Sequence, residues 1–435
     1  MSDLKSEDAD AGRTEEEEPQ DGGSSPDTPP KPPTAVDLLV VIDNSGSMSD
    51  EQVKFAAVLD GFVGALASGS VKSRIDGETR TFSPVESLHI GIVSTDMGVN
   101  GAPPQKSCGA LSFSPTERET ATTQTFLIKP RGDDGLLLTS TEVAQAGVWA
   151  STGPGTEPQQ LVAPDPSCAD VELPQGQRYI DYRAGESDAV ATARAFSCLA
   201  KLGKNGCGLE QQLEAGLKAL TPADSKLRFS EDTLGQGDSE TSRVKAGPNA
   251  GFLREDAVLV VVFVSDEEDC SIPDASRAIF DVNDTSIAGT INVRCGLPSN
   301  QGRLHPISRY VDGLRALKPA AYQDRIIVTS VVGVPRASTT DVDVYSGAAA
   351  IQELLERDDM QFQTRANPVT GNDEPLPTCL SDNGGGSAPG RRFLELSKAF
   401  GDNGLVTSIC ESSYGPVLEV LAEKIGTLLQ GEPLN

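Results

Sequence analysis

Histidine is nearly absent from this 435-residue chain, in which His89 and His305 are the only two. A hydrolase that uses histidine as its general base is therefore disfavoured, and His89, inside an apolar run, is more typical of a structural residue. The sequence also lacks the GxSxG nucleophile elbow and the GxxxxGK[ST] phosphate loop. Serine-hydrolase and P-loop chemistry thus find no support in its motifs.

Positive charge is also scarce, with 36 lysine and arginine residues against 64 acidic ones and a formal net charge of -28. Because proteins bind nucleic-acid phosphates through lysine and arginine, this balance argues against a nucleic-acid partner. It suits divalent cations instead. No apolar run approaches the length needed to span a membrane, and the first residues lack the basic and apolar regions of a signal peptide.

Closely spaced cysteine pairs are missing as well, since none of the eight cysteines forms a CxxC motif. Even, scattered cysteines favour disulfide bonds in an oxidising compartment over reduced thiols or a zinc cluster. We therefore expect an extracytoplasmic protein that is periplasmic, at the cell surface or secreted. Its export leader, with a lipid anchor as one option, is expected to have been removed or to precede this start. Proximity along the chain favours the pairs Cys108–Cys168, Cys198–Cys207, Cys270–Cys295 and Cys379–Cys410.

Residues 1–34 read as a tether, because acidic residues, proline, glycine and serine occur there without apolar periodicity. Residues 35–430 alternate strand and helix signals, which is typical of one α/β domain. Three long stretches interrupt this alternation and are predicted to be inserts, at about 97–186, 221–253 and 335–389. Most cysteines lie in or beside them, so we expect the inserts to be held by disulfide bonds.

The predicted fold is a doubly wound, mainly parallel central sheet flanked by helices. Continuous apolar runs indicate strands that are buried on both faces. They lie at 36–43, 87–95, 257–265, 325–334 and 404–409. Apolar residues at three- and four-residue spacing predict helices between these strands, over 55–66, 209–220, 307–317 and 417–425.

The first strand is followed by an unusual concentration of oxygen atoms in "DNSGSMS". Asp43 ends the strand, Ser45 and Ser47 follow at two-residue steps, and Gly46 permits a turn between them. In doubly wound sheets, ligands bind outside the carboxyl ends of the strands. Carboxylates and hydroxyl groups in a sparse site suit Mg²⁺, with Mn²⁺ or Ca²⁺ as alternatives. A serine-rich turn that caps the next helix is the plainer interpretation.

The loop, with its preceding strand and following helix, resembles the DxSxS motif of the von Willebrand factor A domain. In that family, the motif begins a metal-ion-dependent adhesion site, which an acidic residue after a later strand completes. "VVVFVSDEEDC" supplies Asp266 at the matching position, preceded by Ser265. The resemblance thus implies a cation held by Asp43, Ser45, Ser47 and Asp266.

One element of the family pattern is missing, namely a threonine before the third helix. The matching stretch, "LGKNGCGLEQQLEAGLKAL", contains no threonine. Either Glu210 or Asn205 replaces its hydroxyl group, or the loop reaches the ion through water, or the site is degenerate. A carboxylate at Glu210 would make the cation a weaker electrophile, and a first-turn acid facing the helix dipole is an equally good interpretation of Glu210.

These observations favour a non-enzymatic, extracytoplasmic binding module in which a partner protein's carboxylate fills an open position on the cation. A first alternative is a structural or scaffold protein of the cell envelope, whose cation site is closed by Glu210. A second is a metal-dependent hydrolase in which the acidic "SDEED" loop provides a base.

Overall fold

The apolar runs of the sequence form the parallel strands of one sheet. The computed structural model describes residues 31–73, 77–97, 133–139, 166–203, 208–222, 224–227, 229, 249–281, 283–336, 344–368 and 371–431. All five predicted strands are present, and the sheet is buried on both faces. They are β1 (Ala35–Ile42), β4 (Ser87–Ser94), β6 (Val258–Val264), β7 (Ile326–Val332) and β13 (Gly404–Ser408).

Two short antiparallel strands complete this seven-stranded sheet, β5 (Ile180–Arg183) beside β4 and β8 (Val344–Ser346) beside β13. The strand order is β5-β4-β1-β6-β7-β13-β8. Both edge strands lie in stretches that the sequence assigns to inserts. They are short and carry polar residues, so they lack the continuous apolar signal of a buried strand.

Helices cover both faces of the sheet, as expected for a mixed α/β protein. One apolar core packs α1 (Ser49–Ala56), α2 (Leu59–Ser68), α3 (Ala189–Leu199) and α8 (Gly415–Leu429) against one face. The other core packs α4 (Gln212–Leu220), α5 (Ile307–Arg315), α6 (Ala348–Glu356) and α7 (Arg391–Ala399) against the opposite face. Among the described residues, no helix is both long and apolar enough to cross a bilayer.

Short elements fill the connections. The described residues form three two-stranded ribbons, each from strands of two or three residues, namely β2–β3 (Ser70–Lys72 with Thr79–Thr81), β9–β10 (Thr364–Ala366 with Asp373–Pro375) and β11–β12 (Cys379–Leu380 with Gly386–Ser387). The 3₁₀ helices span Pro166–Cys168, Asp274–Phe280, Ile291–Val293, Pro298–Arg303, Ala320–Arg325, Asp358–Met360 and Gly401–Asn403. Residues 335–389 therefore contain regular structure, including α6. Residues 1–30 lie outside the described part, so the tether stays a prediction.

Helix α4 approaches the sheet closely because it carries a glycine where it crosses β1 and β6. A Cβ atom at Gly216 would lie 3.1 Å from Val41 Cγ2 and 3.2 Å from Phe263 Cε1. These distances are tighter than ordinary van der Waals contact, so a larger residue would push the helix outward. The glycine thereby sets the distance between the sheet and α4, and with it the position of Glu210, which lies two residues before the helix.

Two of the four predicted disulfide pairs are confirmed, Cys270–Cys295 and Cys379–Cys410. The predictions Cys108–Cys168 and Cys198–Cys207 are wrong, because Cys168 is bonded to Cys198. Helix α3 brings Cys198 to the turn at Cys168, and Arg194 on the same helix pairs with Asp170 of that turn. The pairing of these cysteines therefore follows their proximity in the fold and not their proximity along the chain. Cys108 and Cys207 lie outside the described residues.

A buried ion pair anchors the amino-terminal end of β1. Asp37 is fully buried, and it accepts hydrogen bonds from Arg254 N at 2.6 Å and Arg254 Nε at 2.7 Å. Burial raises the pKa of Asp37, while the neighbouring Arg254 opposes that rise. Lys318 Nζ donates to the carbonyl oxygens of Arg254 and Ala257. The charges at this end of the sheet thus have partners of opposite sign or backbone acceptors.

Replacing Arg254 with methionine should lower the free energy of unfolding by about 3–5 kcal/mol, because it leaves Asp37 buried without its partner. Urea unfolding monitored by circular dichroism measures the loss. Arg80→Met is the control, since its pair with Glu423 is partly exposed and should contribute less than about 1 kcal/mol. Equal losses in the two variants would show that Asp37 does not depend on Arg254.

Candidate metal centre

The candidate site lies where strand order in the sheet reverses. Strand β1 pairs with β4 on one side and with β6 on the other, although β4 is the next of these strands along the chain. Ile42 pairs in register with Val264, so both strands end at the same edge. The loops after β1 and β6 therefore emerge side by side at the switch point, where doubly wound sheets bind ligands.

The loop after β1 folds back on Asp43. The Asp43 carboxyl group is fully buried and accepts a 2.8 Å hydrogen bond from Ser45 N. The hydroxyl oxygens of Ser45 and Ser47 lie 3.2 Å apart. Gly46 lacks a positive φ angle, and a Cβ atom there would meet nothing within 4 Å. The turn does not require glycine for its backbone; the glycine leaves open space above the loop.

The loop after β6 meets the first loop through two hydroxyl–carboxylate contacts. Ser265 Oγ donates to Asp43 Oδ2 at 2.7 Å, and Ser47 Oγ donates to Asp266 Oδ1 at 3.0 Å. Asp43, Ser45, Ser47 and Asp266, which are 223 residues apart at the extremes, thus form one continuous cluster of oxygen atoms. We refer to these four residues as the rim cluster.

The loop before α4 covers the buried side of the rim cluster. Cys270 N donates to Glu210 O at 3.0 Å, and Gln211 N donates to Thr95 O at 3.1 Å. The Gln212 side-chain amide lies 2.9 Å from Ser265 Oγ. The third predicted loop therefore converges on the other two and brings Glu210 with it. Asn205, the alternative to Glu210, lies outside the described residues.

The carboxyl groups at this rim raise one another's pKa. Burial is the largest cause for Glu210 and Asp266, whose pKa values lie well above the ordinary range. Neighbouring carboxylates add to the shift, chiefly Glu267 for Glu210 and Asp43 for Asp266. Burial, followed by Asp43, raises the pKa of Glu267 to about 7. Negative charge is therefore held at this rim at a cost that a cation would relieve.

Three buried oxygens at the rim have no hydrogen-bond partner among the described residues, namely Asn44 Oδ1, Thr95 Oγ1 and Glu210 Oε1. Their residues are at most 4% exposed. Buried polar atoms in native proteins almost always have a partner, and exceptions often mark the place of an ion or a water molecule. Asn44 follows Asp43 in the chain, Thr95 follows the residue that pairs with Ile42, and the Glu210 carboxyl group interacts with the charge of Asp43. A ligand at this edge of the sheet would account for all three.

The acidic residues of the "SDEED" loop have two different roles, at the rim and at helix N-termini, which the sequence did not distinguish. Asp266 and Glu267 lie at the rim, whereas Glu268 and Asp269 turn back toward helix N-termini. Glu268 Oε2 accepts from Arg391 N at 2.9 Å at the start of α7, and Asp269 Oδ1 accepts from Leu213 N at 2.9 Å in α4. Buried carboxylates at helix N-termini stabilise the orphan amides there. An acidic run alone carries no signal for this division.

Arg392 adds the countercharge for this second pair. Its Nε donates to Asp269 Oδ2 at 2.9 Å, and both side chains are almost fully buried. It also donates to the His305 carbonyl oxygen at 2.8 Å. Helix α7 is thereby tied to the loop that carries Asp266. The position of Asp266 therefore depends on the contact that Asp269, three residues further along the chain, makes with Arg392.

The insert at 335–389 borders the rim cluster from the outside. Ser387 Oγ and Ala388 N donate to the Asp266 carbonyl oxygen at 2.7 and 3.0 Å. The β11–β12 hairpin that carries Ser387 is bonded through Cys379 to Cys410, just after β13. Ser381 Oγ, in the same hairpin, lies 3.3 Å from Glu51 Oε1 of α1. This hairpin therefore braces Asp266 against the helix that follows the DxSxS loop.

The histidines lie in structural settings. His89 pairs in register with Asp37 near the start of β1, and its Nδ1 lies 2.8 Å from the Phe252 carbonyl oxygen. His305 Nε2 lies 3.9 Å from Glu214 Oε1, which Arg309 also pairs with at 2.8 Å. Burial lowers the pKa of both imidazoles. The predicted structural role of His89 agrees with these contacts.

Carboxylates alone do not form a metal site here. Within the described residues, no group of three or more histidine, cysteine, aspartate or glutamate side chains is arranged to hold a metal ion. A cation at this rim would therefore need the hydroxyl groups of Ser45 and Ser47 as ligands beside Asp43 and Asp266. Such a mixed set of hard oxygen atoms fits Mg²⁺, which accepts few protein ligands and retains water.

The raised pKa of Glu267 predicts that the free energy of unfolding of the metal-free protein, kept in a chelator, depends on pH. Between its ordinary pKa of 4.5 and its folded value of about 7, the folded chain binds more protons than the unfolded chain. The free energy of unfolding should therefore fall as pH rises through this window. Glu267→Gln should remove on the order of 2 kcal/mol of that decline.

Urea unfolding in EDTA at pH 5 and pH 7.5 measures this decline, with the exposed residue Glu86→Gln as the control. An unchanged pH dependence in Glu267→Gln would contradict the prediction.

A scan against protein-family models finds no match for this chain, and a search of curated proteins finds no matching sequence.

Proposed function

We propose that this chain is a non-enzymatic binding module that holds one divalent cation, Mg²⁺ in preference to Mn²⁺ or Ca²⁺, at the rim cluster. Asp43, Ser45, Ser47 and Asp266 are its proposed ligands, with Glu210 on the buried side. The bound cation would supply a concentrated positive charge that attracts an oxygen ligand from a partner protein. The resemblance to von Willebrand factor A domains implies a carboxylate as that ligand.

The convergence of the loops is the observation that carries this proposal. Ser47 Oγ reaches Asp266 and Ser265 Oγ reaches Asp43, although each pair is separated by more than 200 residues. A serine-rich turn that merely capped α1 would not need these contacts, and α1 has no side-chain cap from this loop. Asn44, Thr95 and Glu210, whose residues neighbour Asp43 in sequence, in strand register or electrostatically, each keep one buried oxygen without a hydrogen-bond partner among the described residues.

Exposure around the rim supports an open coordination position. Gly46 and Ser47 are exposed, whereas Asp43 and Glu210 are at most 2% exposed. A cation between them would face protein on the Asp43 side and solvent on the Ser47 side. A partner group could therefore approach over Gly46, where open space lies above the loop. The closed scaffold site, the first alternative, would need protein oxygens on that side as well.

The cysteine bonds favour an extracytoplasmic location, because disulfide bonds persist in oxidising compartments. We place the protein at the cell envelope, with a lipid anchor as one means of retention there. The acidic stretch at 1–34 would then serve as a spacer between that surface and the binding domain.

Calorimetric titration of Mg²⁺ and Mn²⁺ into the chelator-treated protein tests the site. Wild type should bind one ion per chain, and Asp43→Ala should weaken binding by about 100-fold or more, since it removes the carboxylate on which the rim is built. Asp60→Ala, an exposed acid on α2, is the matched control and should bind as wild type does. Identical heats for wild type and Asp43→Ala would refute the proposed cation site.

An open position predicts that the cation keeps exchangeable water. In the Mn²⁺-loaded protein, bound Mn²⁺ should enhance water-proton relaxation, and acetate should reduce that enhancement by displacing the water. Sodium chloride at equal ionic strength controls for screening. Relaxation that acetate leaves unchanged would favour the closed scaffold site over the adhesion module.

A further inference from the structure

Thr95 presents an unexplained hydroxyl group beside the rim cluster. The residue is fully buried, and its Oγ1 has no hydrogen-bond partner among the described residues. Leaving a buried hydroxyl group unsatisfied costs on the order of its full desolvation penalty, so such groups need an explanation. The preceding residue, Ser94, is satisfied by contrast, because its Oγ donates to Asp133 Oδ2 at 2.5 Å.

Register places Thr95 next to Asp43. Ser94 pairs with Ile42 across β4 and β1, so the following residues, Thr95 and Asp43, are neighbours at the sheet edge. Adjacent strands lie about 4.8 Å apart, which is within reach of a shared ligand. Asp43 is flanked on its other side by Ser265, which donates to it. The three residues form one row across the ends of β4, β1 and β6.

Alternation along the strands, continued one residue past their ends, predicts that this row lies on a single face of the sheet. Val41, Val93 and Phe263 all belong to the core beneath α4. Asp43, Thr95 and Ser265 follow these residues by two positions, and side chains two apart share a face. Thr95 therefore lies on the side from which the loop before α4 approaches, and Gln211 N contacts its carbonyl oxygen at 3.1 Å.

We propose that Thr95 contributes a hydroxyl group to the oxygen ligands of the cation. It thereby takes the place of the hydroxyl group that the loop before α4 lacks. The inference rests on the proposed cation site and assigns it a residue from a different strand. A threonine hydroxyl group can bind the ion directly or through one coordinated water molecule, and both arrangements satisfy the orphaned oxygen. A neutral ligand here also leaves more of the cation's charge for a partner than a carboxylate would.

The test compares Thr95→Val with Thr95→Ser in calorimetric titration of Mn²⁺. Valine keeps the shape of threonine but removes the hydroxyl group, so Mn²⁺ affinity should fall by about tenfold or more. Serine keeps the hydroxyl group, so affinity should stay within about threefold of wild type. Thr329→Val is the matched control, because Thr329 in β7 is also fully buried with an unpartnered Oγ1. It pairs with Val262, inside the strands rather than at their ends.

Thermal unfolding in EDTA separates a ligand from a structural residue. Without the ion, Thr95→Val should melt at or above the wild-type temperature, because valine removes an unsatisfied buried hydroxyl group. In saturating Mn²⁺, it should gain less stability than wild type gains. A structural hydroxyl group would instead lower the melting temperature in EDTA.

Wild-type Mn²⁺ affinity in Thr95→Val, while Asp43→Ala still weakens binding by about 100-fold or more, would overturn the role of Thr95 and leave the cation site intact. No Mn²⁺ binding by wild type would overturn the proposed function, and the role of Thr95 with it. A loss of affinity in Thr329→Val as large as that in Thr95→Val would also overturn the assignment, since it would show a general effect of buried threonines.

Discussion

The electrostatic cost of burying carboxyl groups together at one sheet edge is the constraint on which this structure depends. Asp43, Glu210 and Asp266 are each at most 8% exposed, and the described donors to the carboxyl groups of Asp43 and Asp266 are hydroxyl groups and one backbone amide. Buried acids elsewhere in the chain are balanced differently. Asp37 has Arg254 and Asp269 has Arg392. A divalent cation would give the rim the countercharge that arginine gives these other sites.

The fold brings these groups together through neighbouring parallel strands. Because β1 and β6 are paired in register up to their last residues, the residues that follow them lie side by side. Long loops are not needed to bring them together. Gly216 then lets α4 lie close to both strands, and Cys270 N holds the Glu210 carbonyl oxygen. The site is thus built on rigid elements, which is the arrangement that holds a binding geometry well.

The sequence predicted the parts whose physical signal is local. Apolar runs identified five strands, and the strand-end position of Asp43 and Asp266 correctly placed them at one edge. Short polar edge strands such as β5 were not predicted, because β5 is a strand through its pairing with β4 and not through its composition. The division of the acidic loop depended on Leu213 and Arg392, which no local pattern connects to Asp269. The Cys168–Cys198 bond depended on where α3 lies.

Thr95 shows the same limit of sequence-based prediction at the candidate metal site. Matching a motif directs attention to the loop before α4, where a threonine is expected and absent. The structure instead places a hydroxyl group at the adjacent strand end, in the row of Asp43 and Ser265. At the proposed cation site, the ligand could come from either neighbouring strand, because a cation would select an oxygen atom at the right distance. Positions along the chain are therefore a weaker constraint on such a site than positions across the sheet.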